Sequence, residues 1–329
     1  MNGRRLGGRY ALDEPVGRGP NAVVYRATDT RAVGRVVATK VLHGRDRPDA
    51  RTRHRFRRER EILLALDHPN LLRLYDAGTD GETDWIVVDF AKTGSVGDLL
   101  RSDGPFDERS ALDALVPALA ALGAAHRAGV VHRAFGPDNI LVGHRGQILL
   151  SDFTSATVLG QADEGDDRGR GPFAPPEQIA SPWDVGPEAD VYAAAATLVT
   201  LLTGRVPGPL WEISLGDPRW GSVPEWLRPL LSTAGALAPS DRFPSAEHLA
   251  AAIVEAAVRY GRPRSDELAA LWEKVRPRTA PRPLHADRPP PEVTPEPTAP
   301  PPSVGHVYLS IAGGIVVAGA LLALAAWVV

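Results

Sequence analysis

The hydrophobic pattern of this chain changes near residue 92, and that change limits the folds available to it. Before it, apolar residues come in short β-branched runs such as AVVYRATDT and RVVATKVL, separated by Gly, Asp and Arg, which is typical of strands. From Val96 onward apolar residues recur at helical spacing, as in ERSALDALVPALAALGAAHRAG. A small β-rich lobe followed by a larger helical lobe predicts an α+β fold with a ligand cleft between the lobes.

One helix is expected inside the β-rich lobe. The segment RHRFRREREILLALDHP is basic early and apolar late, and His68-Pro69 predicts its end. Two more strands are expected in LLRLYDAGTDGETDWIVVDF, around a turn rich in Gly and Asp. Further helices of the second lobe are expected in VGDLLRS, ADVYAAAATLVTLLTG and SAEHLAAAIVEAAVRYG.

The composition excludes several kinds of site. The chain has no cysteine, which rules out disulfides and cysteine-ligated metals. Its formal net charge of −3 gives no indication of nucleic-acid binding. The N-terminal residues contain no apolar run, so we expect no signal peptide. Arginine supplies nearly all of the 37 Lys and Arg residues, so a position that keeps lysine is informative. The lysines are Lys40, Lys92 and Lys274.

The C-terminal residues predict a membrane anchor. From Val307 to Val329 there is no charge in 23 positions, and a helix of that length spans about 34 Å, enough for a hydrocarbon core of roughly 30 Å. A buried core helix is the alternative, but Tyr308 and Trp327 near the two ends favour a membrane span. Arginines on its N-terminal side predict a single-pass protein of the cell membrane, with a cytoplasmic body and the C-terminus at the outer face.

A proline-rich stretch precedes that segment. It has 11 Pro between Pro277 and Pro302, so it should form an extended spacer, or else a Pro-rich ligand for a partner domain. The expected organisation is a tail at 1–8, a β-rich lobe at 9–91, a helical lobe at 92–262, a helical tail with the linker at 263–303 and a membrane helix at 304–329.

Several short motifs occur in order along the two lobes. They are Gly17-Arg18-Gly19-Pro20-Asn21-Ala22-Val23-Val24-Tyr25, Val37-Ala38-Thr39-Lys40, Phe56-Arg57-Arg58-Glu59, His132-Arg133-Ala134-Phe135-Gly136-Pro137-Asp138-Asn139, Ser151-Asp152-Phe153-Thr154 and Ala174-Pro175-Pro176-Glu177. In this order the chain resembles the bacterial Ser/Thr protein kinase family, across about residues 9–260. The Gly-rich motif alone would be better explained as an ordinary hairpin turn, so the resemblance depends on the whole set.

The resemblance implies a site for ATP and Mg²⁺. Lys40 would contact the α- and β-phosphates, and Glu59 would pair with it, with Glu61 as the less favoured alternative. Asn139 and Asp152 would hold Mg²⁺. The other positions implied to contact the nucleotide are Gly17, Gly19 and Val24 in the Gly-rich loop, Ala38, and Asp89 and Ala91 in the hinge that follows Val88.

Other positions of the family pattern are structural or altered. Glu177 and Arg242 would form a buried pair, and Asp190 would anchor the catalytic loop. Ala22 replaces the third glycine of the Gly-rich loop, and Thr154 replaces the glycine of Asp-Phe-Gly. Ala22 and Pro20 should stiffen the tip of the Gly-rich loop, with phosphate contact weakened rather than lost, and Thr154 should limit the backbone freedom after Phe153.

The catalytic positions of the family pattern are altered together. Ala134 replaces the aspartate that accepts the substrate hydroxyl proton, and Gly136 replaces the lysine that steadies the transferring phosphoryl group. Arg170 replaces the threonine that bridges those two. No intact catalytic residue is therefore predicted. Asp138 is the nearby candidate for a substitute base, but it directly precedes the implied metal ligand Asn139 and is disfavoured.

The activation segment carries its hydroxyls only at its beginning, and its middle reads GQADEGDDRGRG. Two interpretations remain open for the acids of this stretch. They mimic a phosphate beside Arg133, or they form a solvated acidic loop. The acids are Asp163, Glu164, Asp166 and Asp167.

The residues implied to bind ATP and Mg²⁺ are kept, whereas those implied to serve phosphate transfer are replaced. Three hypotheses follow from this division. The leading one is a membrane-anchored cytoplasmic pseudokinase that binds ATP with Mg²⁺ and acts on unidentified protein partners as a scaffold or allosteric regulator. The second is a weakly active transmembrane Ser/Thr kinase that transfers the ATP γ-phosphate to protein hydroxyls. The third is a structural interaction module with an empty cleft. Nucleotide binding separates the first from the third, and phosphate transfer separates the second from both.

Overall fold

The computed structural model describes residues 3–19, 22–32, 34–42, 50–81, 83–159, 171–181 and 185–261. All of them belong to one compact unit, Met1–Ala280; the second unit, Pro281–Val329, lies outside the described residues. The predicted linker at 263–303 and the predicted membrane helix at 304–329 therefore also lie outside them. In the part of the chain that is described, no helix is both long and apolar enough to cross a bilayer.

One antiparallel sheet forms the first lobe, in the spatial order β1-β2-β3-β4-β6-β5. The register pairs Val24 with Lys40 and Lys40 with Ile86, which places this lysine in the middle of the sheet. Tyr10 and Trp85 belong to a cluster of buried residues on the sheet. The strands are β1 (Arg5–Leu6), β2 (Tyr10–Arg18), β3 (Ala22–Asp29), β4 (Val36–Leu42), β5 (Leu74–Asp80) and β6 (Thr83–Asp89).

Helix α1 (Ala50–Ala65) follows β4 in the chain and packs against the sheet with one face. Phe56 and Leu63 on that face are buried, and Glu59 lies between them at 2% exposure, because residues three or four apart share a helix face. The helix ends somewhat earlier than the sequence predicts. It stops before His68, which the following proline restricts to an extended conformation.

The second lobe is helical and is built around α3 and α5. Helix α2 begins with a capping box, in which Ser95 and Asp98 each bond the other's backbone N–H. Helix α5 is buried along nearly its whole length, as its apolar sequence requires. Gly204 ends it in the left-handed conformation. The helices are α2 (Val96–Asp103), α3 (Glu108–Arg127), α4 (Pro176–Ala180), α5 (Pro187–Thr203), α6 (Arg228–Ala234) and α7 (Ala246–Arg259).

Short strands in the second lobe set the position of the cleft-facing loops. β7 pairs with β10, and β8 pairs with β9. Residues 132–139 lie between β7 and β8, and Asp152 lies between β9 and β10. At two or three residues each, these strands are too short to produce a hydrophobic period, so the sequence analysis missed them. They are β7 (Val130–Val131), β8 (Ile140–Val142), β9 (Ile148–Leu150) and β10 (Thr157–Val158).

Candidate nucleotide-binding site

Lys40 contacts two carboxylates at once. Its Nζ lies 2.9 and 2.8 Å from the two oxygens of Glu59 and 3.1 Å from Oδ1 of Asp152. The lysine comes from the middle of β4, the glutamate from the inner face of α1 and the aspartate from the turn after β9. Glu61, the alternative partner considered from the sequence, is exposed. The structure thus brings the sequence-predicted residues of both lobes together in one ion cluster.

Lys40 and Asp152 stabilise each other's charge, whereas burial raises the pKa of Glu59 despite its contact with Lys40. Burial alone would lower the pKa of Lys40, but the adjacent Asp152 and Glu59 carboxylates outweigh it and raise that pKa. Burial likewise opposes ionisation of Asp152, but Lys40 and a hydrogen bond from Thr154 lower its pKa to about 2. Lys40 therefore stays protonated at neutral pH.

Asp152 and Asn139 present oxygen atoms to the same cleft. Asp152 adopts the left-handed conformation, with φ 63°, and Thr154 donates a hydrogen bond of 2.6 Å to its Oδ1. The Asn139 amide donates to the Ala134 carbonyl at 2.7 Å, which leaves the amide oxygen as an acceptor. A carboxylate and an amide oxygen suit Mg²⁺, which binds proteins through one or two such groups and completes its shell with phosphates and water.

A cavity of about 700 Å³ occupies the cleft, within the range of small-molecule sites. Apolar side chains from both lobes make up much of its wall, as is usual for small-molecule sites. Every residue predicted to contact the nucleotide or the metal lines this cavity: Gly17, Gly19, Val24, Ala38, Lys40, Glu59, Asp89, Ala91, Asn139 and Asp152.

The Gly-rich loop closes as a hairpin between β2 and β3. The Gly19 N–H donates to the Ala22 carbonyl at 2.9 Å, and Ala22 itself is a buried residue of β3 rather than part of the turn. A Cβ on Gly17 would meet only ordinary contacts, the nearest atom being 3.6 Å away in Val24. The tip residues of this loop, at 20–21, lie outside the described residues.

The hinge offers its backbone rather than its acidic side chain. The Asp89 carboxylate accepts from the Tyr75 hydroxyl at 2.7 Å and from the Arg73 N–H at 3.1 Å. These bonds turn the carboxylate toward β5. Contact of Asp89 with a ligand in the cavity would therefore come from its main-chain groups.

The catalytic loop has no polar or charged side chain at positions 134 and 136. Ala134 ends in a methyl group, and Gly136 has extended backbone, with φ −178°, that any residue could adopt. A Cβ on Gly136 would lie 3.2 Å from the ring of Phe173, closer than an ordinary contact. Phe173 therefore covers the point from which a lysine side chain would leave the backbone. Arg170, the third altered position, lies outside the described residues.

Asp138 is held by an arginine that the sequence analysis did not single out. Arg101 of α2 donates to the Asp138 carboxylate at 2.7 Å and to that of Asp98 at 2.7 Å. A Cβ on Gly97 would overlap the Asp138 carboxylate, so the glycine allows this close approach. With one oxygen bound to a permanent cation, Asp138 is poorly placed to act as a substitute base.

Asp190 anchors the catalytic loop from α5. Its buried carboxylate accepts from the backbone N–H groups of His132 and Arg133 at 2.7 and 2.8 Å, and contacts Nε2 of His126 at 2.9 Å. The Ala246 N–H donates to Nδ1 of His126 at 3.2 Å, so Nε2 carries the ring hydrogen and donates it to Asp190. Burial opposes ionisation of Asp190, but these bonds, led by the one from His126, lower its pKa.

Glu177 and Arg242 form the second structural pair that the sequence predicted. Two parallel bonds of 2.6 and 2.9 Å join them, and the arginine side chain is completely buried. This pair ties the segment after Phe173 to the turn before α7. The geometry around Asp190 and Arg242 therefore supports the loop that faces the cleft.

Three residues belong to the site although no sequence motif marks them: Leu141, Arg101 and Phe173. Leu141 lies in β8, on the cleft wall, and carried no motif signal beyond its apolar character. Arg101 and Phe173 meet partners 37 residues away or more, and no local pattern encodes such a contact. Only the tertiary structure identifies them.

Comparison with known proteins gives one consistent result. Residues 10–249 match the model of the protein kinase domain. The chain is 32% identical over 266 residues to the serine/threonine-protein kinase PrkC of Bacillus subtilis, covering 76% of this chain and 41% of that protein. It is 31% identical over 256 residues to the serine/threonine-protein kinase PknL of Mycobacterium tuberculosis, covering 73% and 64%.

A probable serine/threonine-protein kinase of Streptomyces coelicolor is 35% identical over 213 residues, covering 62% of this chain and 31% of that protein. The matched part thus spans less than two thirds of each of these relatives. The family model covers well over half of this chain and ends within α7, so it takes in both lobes. The chain belongs to the protein kinase domain family.

Proposed function

We propose that this protein binds ATP with Mg²⁺ and acts as a pseudokinase, a scaffold or allosteric regulator of protein partners. The observation that carries the proposal is a contrast within one cleft. Lys40, Glu59 and Asp152 are assembled at hydrogen-bond distance, whereas Ala134 and Gly136 offer no base and no cation. Nucleotide binding and phosphoryl transfer need different groups, and only the first set is in place.

Each retained residue has a defined task in binding. Lys40 would neutralise phosphate charge, and Glu59 would hold its ammonium in position. Asp152 and Asn139 would hold Mg²⁺, which screens the phosphate charges. The main-chain groups of the hinge would orient the base. None of these tasks requires a proton acceptor for a substrate hydroxyl.

The missing groups matter for rate. A positioned general base contributes about 10²–10⁴ in rate, and pre-oriented charge that stabilises the transferring group contributes separately. Ala134 supplies no base, and Phe173 lies against the backbone where Gly136 stands for a lysine. Asp138 is bound to Arg101. Transfer to a protein hydroxyl would therefore be slow.

A weakly active Ser/Thr kinase is the second candidate. Two observations favour it: the relatives are named serine/threonine-protein kinases, and the Lys40–Glu59–Asp152 cluster is fully formed. This candidate requires a proton acceptor other than Ala134. Phosphate transfer by the unmodified protein, abolished by Lys40→Met, would favour it over a pseudokinase.

Nucleotide binding is tested by thermal unfolding with MgATP. At 100 times its dissociation constant a ligand stabilises the folded state by about 2.7 kcal/mol, which should appear as a clear rise in melting temperature. Lys40→Met should remove most of that rise. Lys92→Met is the matched control, since Lys92 is exposed. Absence of any rise at millimolar MgATP in the unmodified protein would contradict the proposal.

Phosphate transfer is tested by restoring the family residues. The triple variant Ala134→Asp, Gly136→Lys, Arg170→Thr should incorporate radiolabelled phosphate roughly 10²-fold faster than the unmodified protein. Each single change should gain far less, because catalytic residues act as a unit. Gly136→Lys also requires Phe173 to move by a few tenths of an ångström. Measurable phosphate transfer by the unmodified protein at the rate of the triple variant would contradict the pseudokinase assignment.

Membrane attachment is part of the same proposal. The uncharged run from Val307 to Val329 supports a single-pass anchor, and the Pro-rich stretch before it supports a spacer. Attachment would raise the effective concentration of the kinase-like body toward membrane-bound partners. The body would then lie on the cytoplasmic side, with the C-terminus at the outer face.

A further inference from the structure

Thr154 occupies a position where the family has glycine, and its hydroxyl reaches back to a metal-ligand position. Its Oγ1 donates to Oδ1 of Asp152 at 2.6 Å, the shortest hydrogen bond at this carboxylate, since Lys40 Nζ bonds the same oxygen at 3.1 Å. Thr154 itself lines the nucleotide cavity. A glycine has no side-chain hydroxyl and could not make this bond.

The backbone at this point does not use the freedom of glycine. Among the described non-glycine residues, positive φ occurs only at Arg133 and Asp152, so Thr154 has the ordinary negative φ of a short 3₁₀ turn, Phe153–Ser155. A β-branched side chain fits there without strain, and its restricted χ1 keeps the hydroxyl aimed. The replacement therefore adds a donor without a backbone penalty.

The two bonds to Oδ1 fix the direction of the carboxylate. Lys40 approaches from β4 and Thr154 from the turn that follows Asp152, so rotation of the carboxylate would break one or both. Groups that hydrogen-bond a metal-ligating carboxylate in this way orient it, and their loss typically weakens metal binding by about 10–100-fold. Asn139 is oriented similarly by its bond to the Ala134 carbonyl.

We propose that Thr154 is a positioning residue, whose hydroxyl orients Asp152 for a divalent cation bound together with the nucleotide. In this chain threonine serves the metal site better than the glycine of the family. The inference rests on the proposed nucleotide site and extends it, because it assigns the cation dependence of binding to one hydroxyl.

The test measures cation binding directly. Free Mn²⁺ is followed by electron paramagnetic resonance during titration of the full chain with a non-hydrolysable ATP analogue. Thr154→Val keeps the shape and removes the donor, Thr154→Gly restores the family residue, and Thr154→Ser keeps the donor. Thr157→Val is the control, since it makes the same Thr-to-Val exchange at a buried threonine of β10.

The expected pattern is specific to an orienting hydroxyl. Thr154→Val and Thr154→Gly should each raise the Mn²⁺ dissociation constant roughly tenfold, whereas Thr154→Ser and Thr157→Val should keep the wild-type value. Binding of the analogue in EDTA should be the same in all five proteins. Should Thr154→Val unfold, the comparison of Ser with Gly at position 154 decides the question.

Two results would overturn the inference in distinguishable ways. Equal or tighter Mn²⁺ binding by Thr154→Val and Thr154→Gly, with the analogue still bound, would eliminate the role of Thr154 and leave the nucleotide site standing. Failure of the unmodified protein to bind the analogue, with or without Mn²⁺, would remove the proposed function and this inference together.

Discussion

Arg242 is a buried cation whose hydrogen-bonding capacity is fully used. Two bonds go to the Glu177 carboxylate and three to the backbone carbonyls of Ala236, Leu237 and Glu188. A guanidinium has five N–H donors, so none is left over. Removal of the carboxylate would leave this buried charge with carbonyls alone, and such losses are among the costliest single changes in a protein.

Glu177→Ala is therefore expected to lower the free energy of unfolding by about 3 kcal/mol, measured by urea denaturation. The control is Glu255→Ala, which breaks the exposed pair between Arg259 and Glu255 at 3.3 Å and should cost less than about 1 kcal/mol. Similar costs for the two variants would show that the buried pair contributes no more than an exposed one.

The ionisation of one other buried residue, Asp29, makes the stability of the fold depend on pH. Arg9 donates to both of its oxygens at 2.7 Å, and this bond lowers the pKa of Asp29 to about 2, against the opposing effect of burial. The unfolded value is about 3.9. The ionised carboxylate thus stabilises the fold above about pH 4, and that stabilisation is lost as the pH falls from about 4 toward 2.

Asp29→Asn should accordingly melt below the wild type near neutral pH, and the difference in melting temperature should shrink as the pH approaches 2. Differential scanning calorimetry across this range measures it. The same exchange at the exposed Asp103 is the control. A difference that stays constant with pH would assign the effect of Asp29 to something other than its charge.

At the scale of elements, α3 and α7 approach so closely that a glycine is required between them. A Cβ on Gly123 of α3 would lie 3.0 Å from Cβ of Glu247 and 3.3 Å from its backbone nitrogen. Backbone atoms of a packed helix cannot move aside as a flexible side chain can. At position 123, helix propensity therefore favours alanine, whereas the packing of the two helices favours glycine.

Gly123→Ala sets those two effects against each other. The gain in helix propensity is about 1 kcal/mol, whereas overpacking costs about 1–3 kcal/mol, and contact with backbone favours the upper end. We expect a net decrease in unfolding free energy, and a larger decrease for Gly123→Val, both measured by urea denaturation. A more stable alanine variant would show that the helices can separate at little cost.

How much the sequence predicts depends on how local each signal is. Lys40 and Glu59 lie in short motifs within a long strand and a long helix that the sequence predicted, whereas Asp152 lies in a motif between two short strands that it did not. The meeting of all three in one cleft was predicted by the family resemblance that these motifs carry. The contact of Phe173 with Gly136 and that of Arg101 with Asp138 depend on how distant segments pack. No periodicity encodes either contact.

At the scale of the whole molecule, the proposed anchor divides the chain into parts with different solubility. A chain ending at residue 303 keeps every described element and lacks the uncharged run from Val307 to Val329. It should remain in the supernatant after ultracentrifugation of lysed cells, whereas the full chain should sediment with membranes and need detergent for release.

Both proteins should show the same melting behaviour with MgATP, since the cleft lies far from the truncation in sequence. Recovery of the full chain in the detergent-free supernatant would contradict the anchor. Loss of folding in the shortened chain would show instead that the removed residues contribute to the stability of the kinase-like body.

The assembled cluster of Lys40, Glu59 and Asp152 has a consequence for the rate at which a nucleotide is captured. Where a binding-competent state is only a minor population, the apparent affinity is reduced by that fraction, and a slow rearrangement limits association. Here the Lys40 ammonium already contacts both carboxylates, and all three side chains line the cavity. Under the proposed function, nucleotide association should therefore proceed in a single kinetic phase whose rate rises linearly with nucleotide concentration.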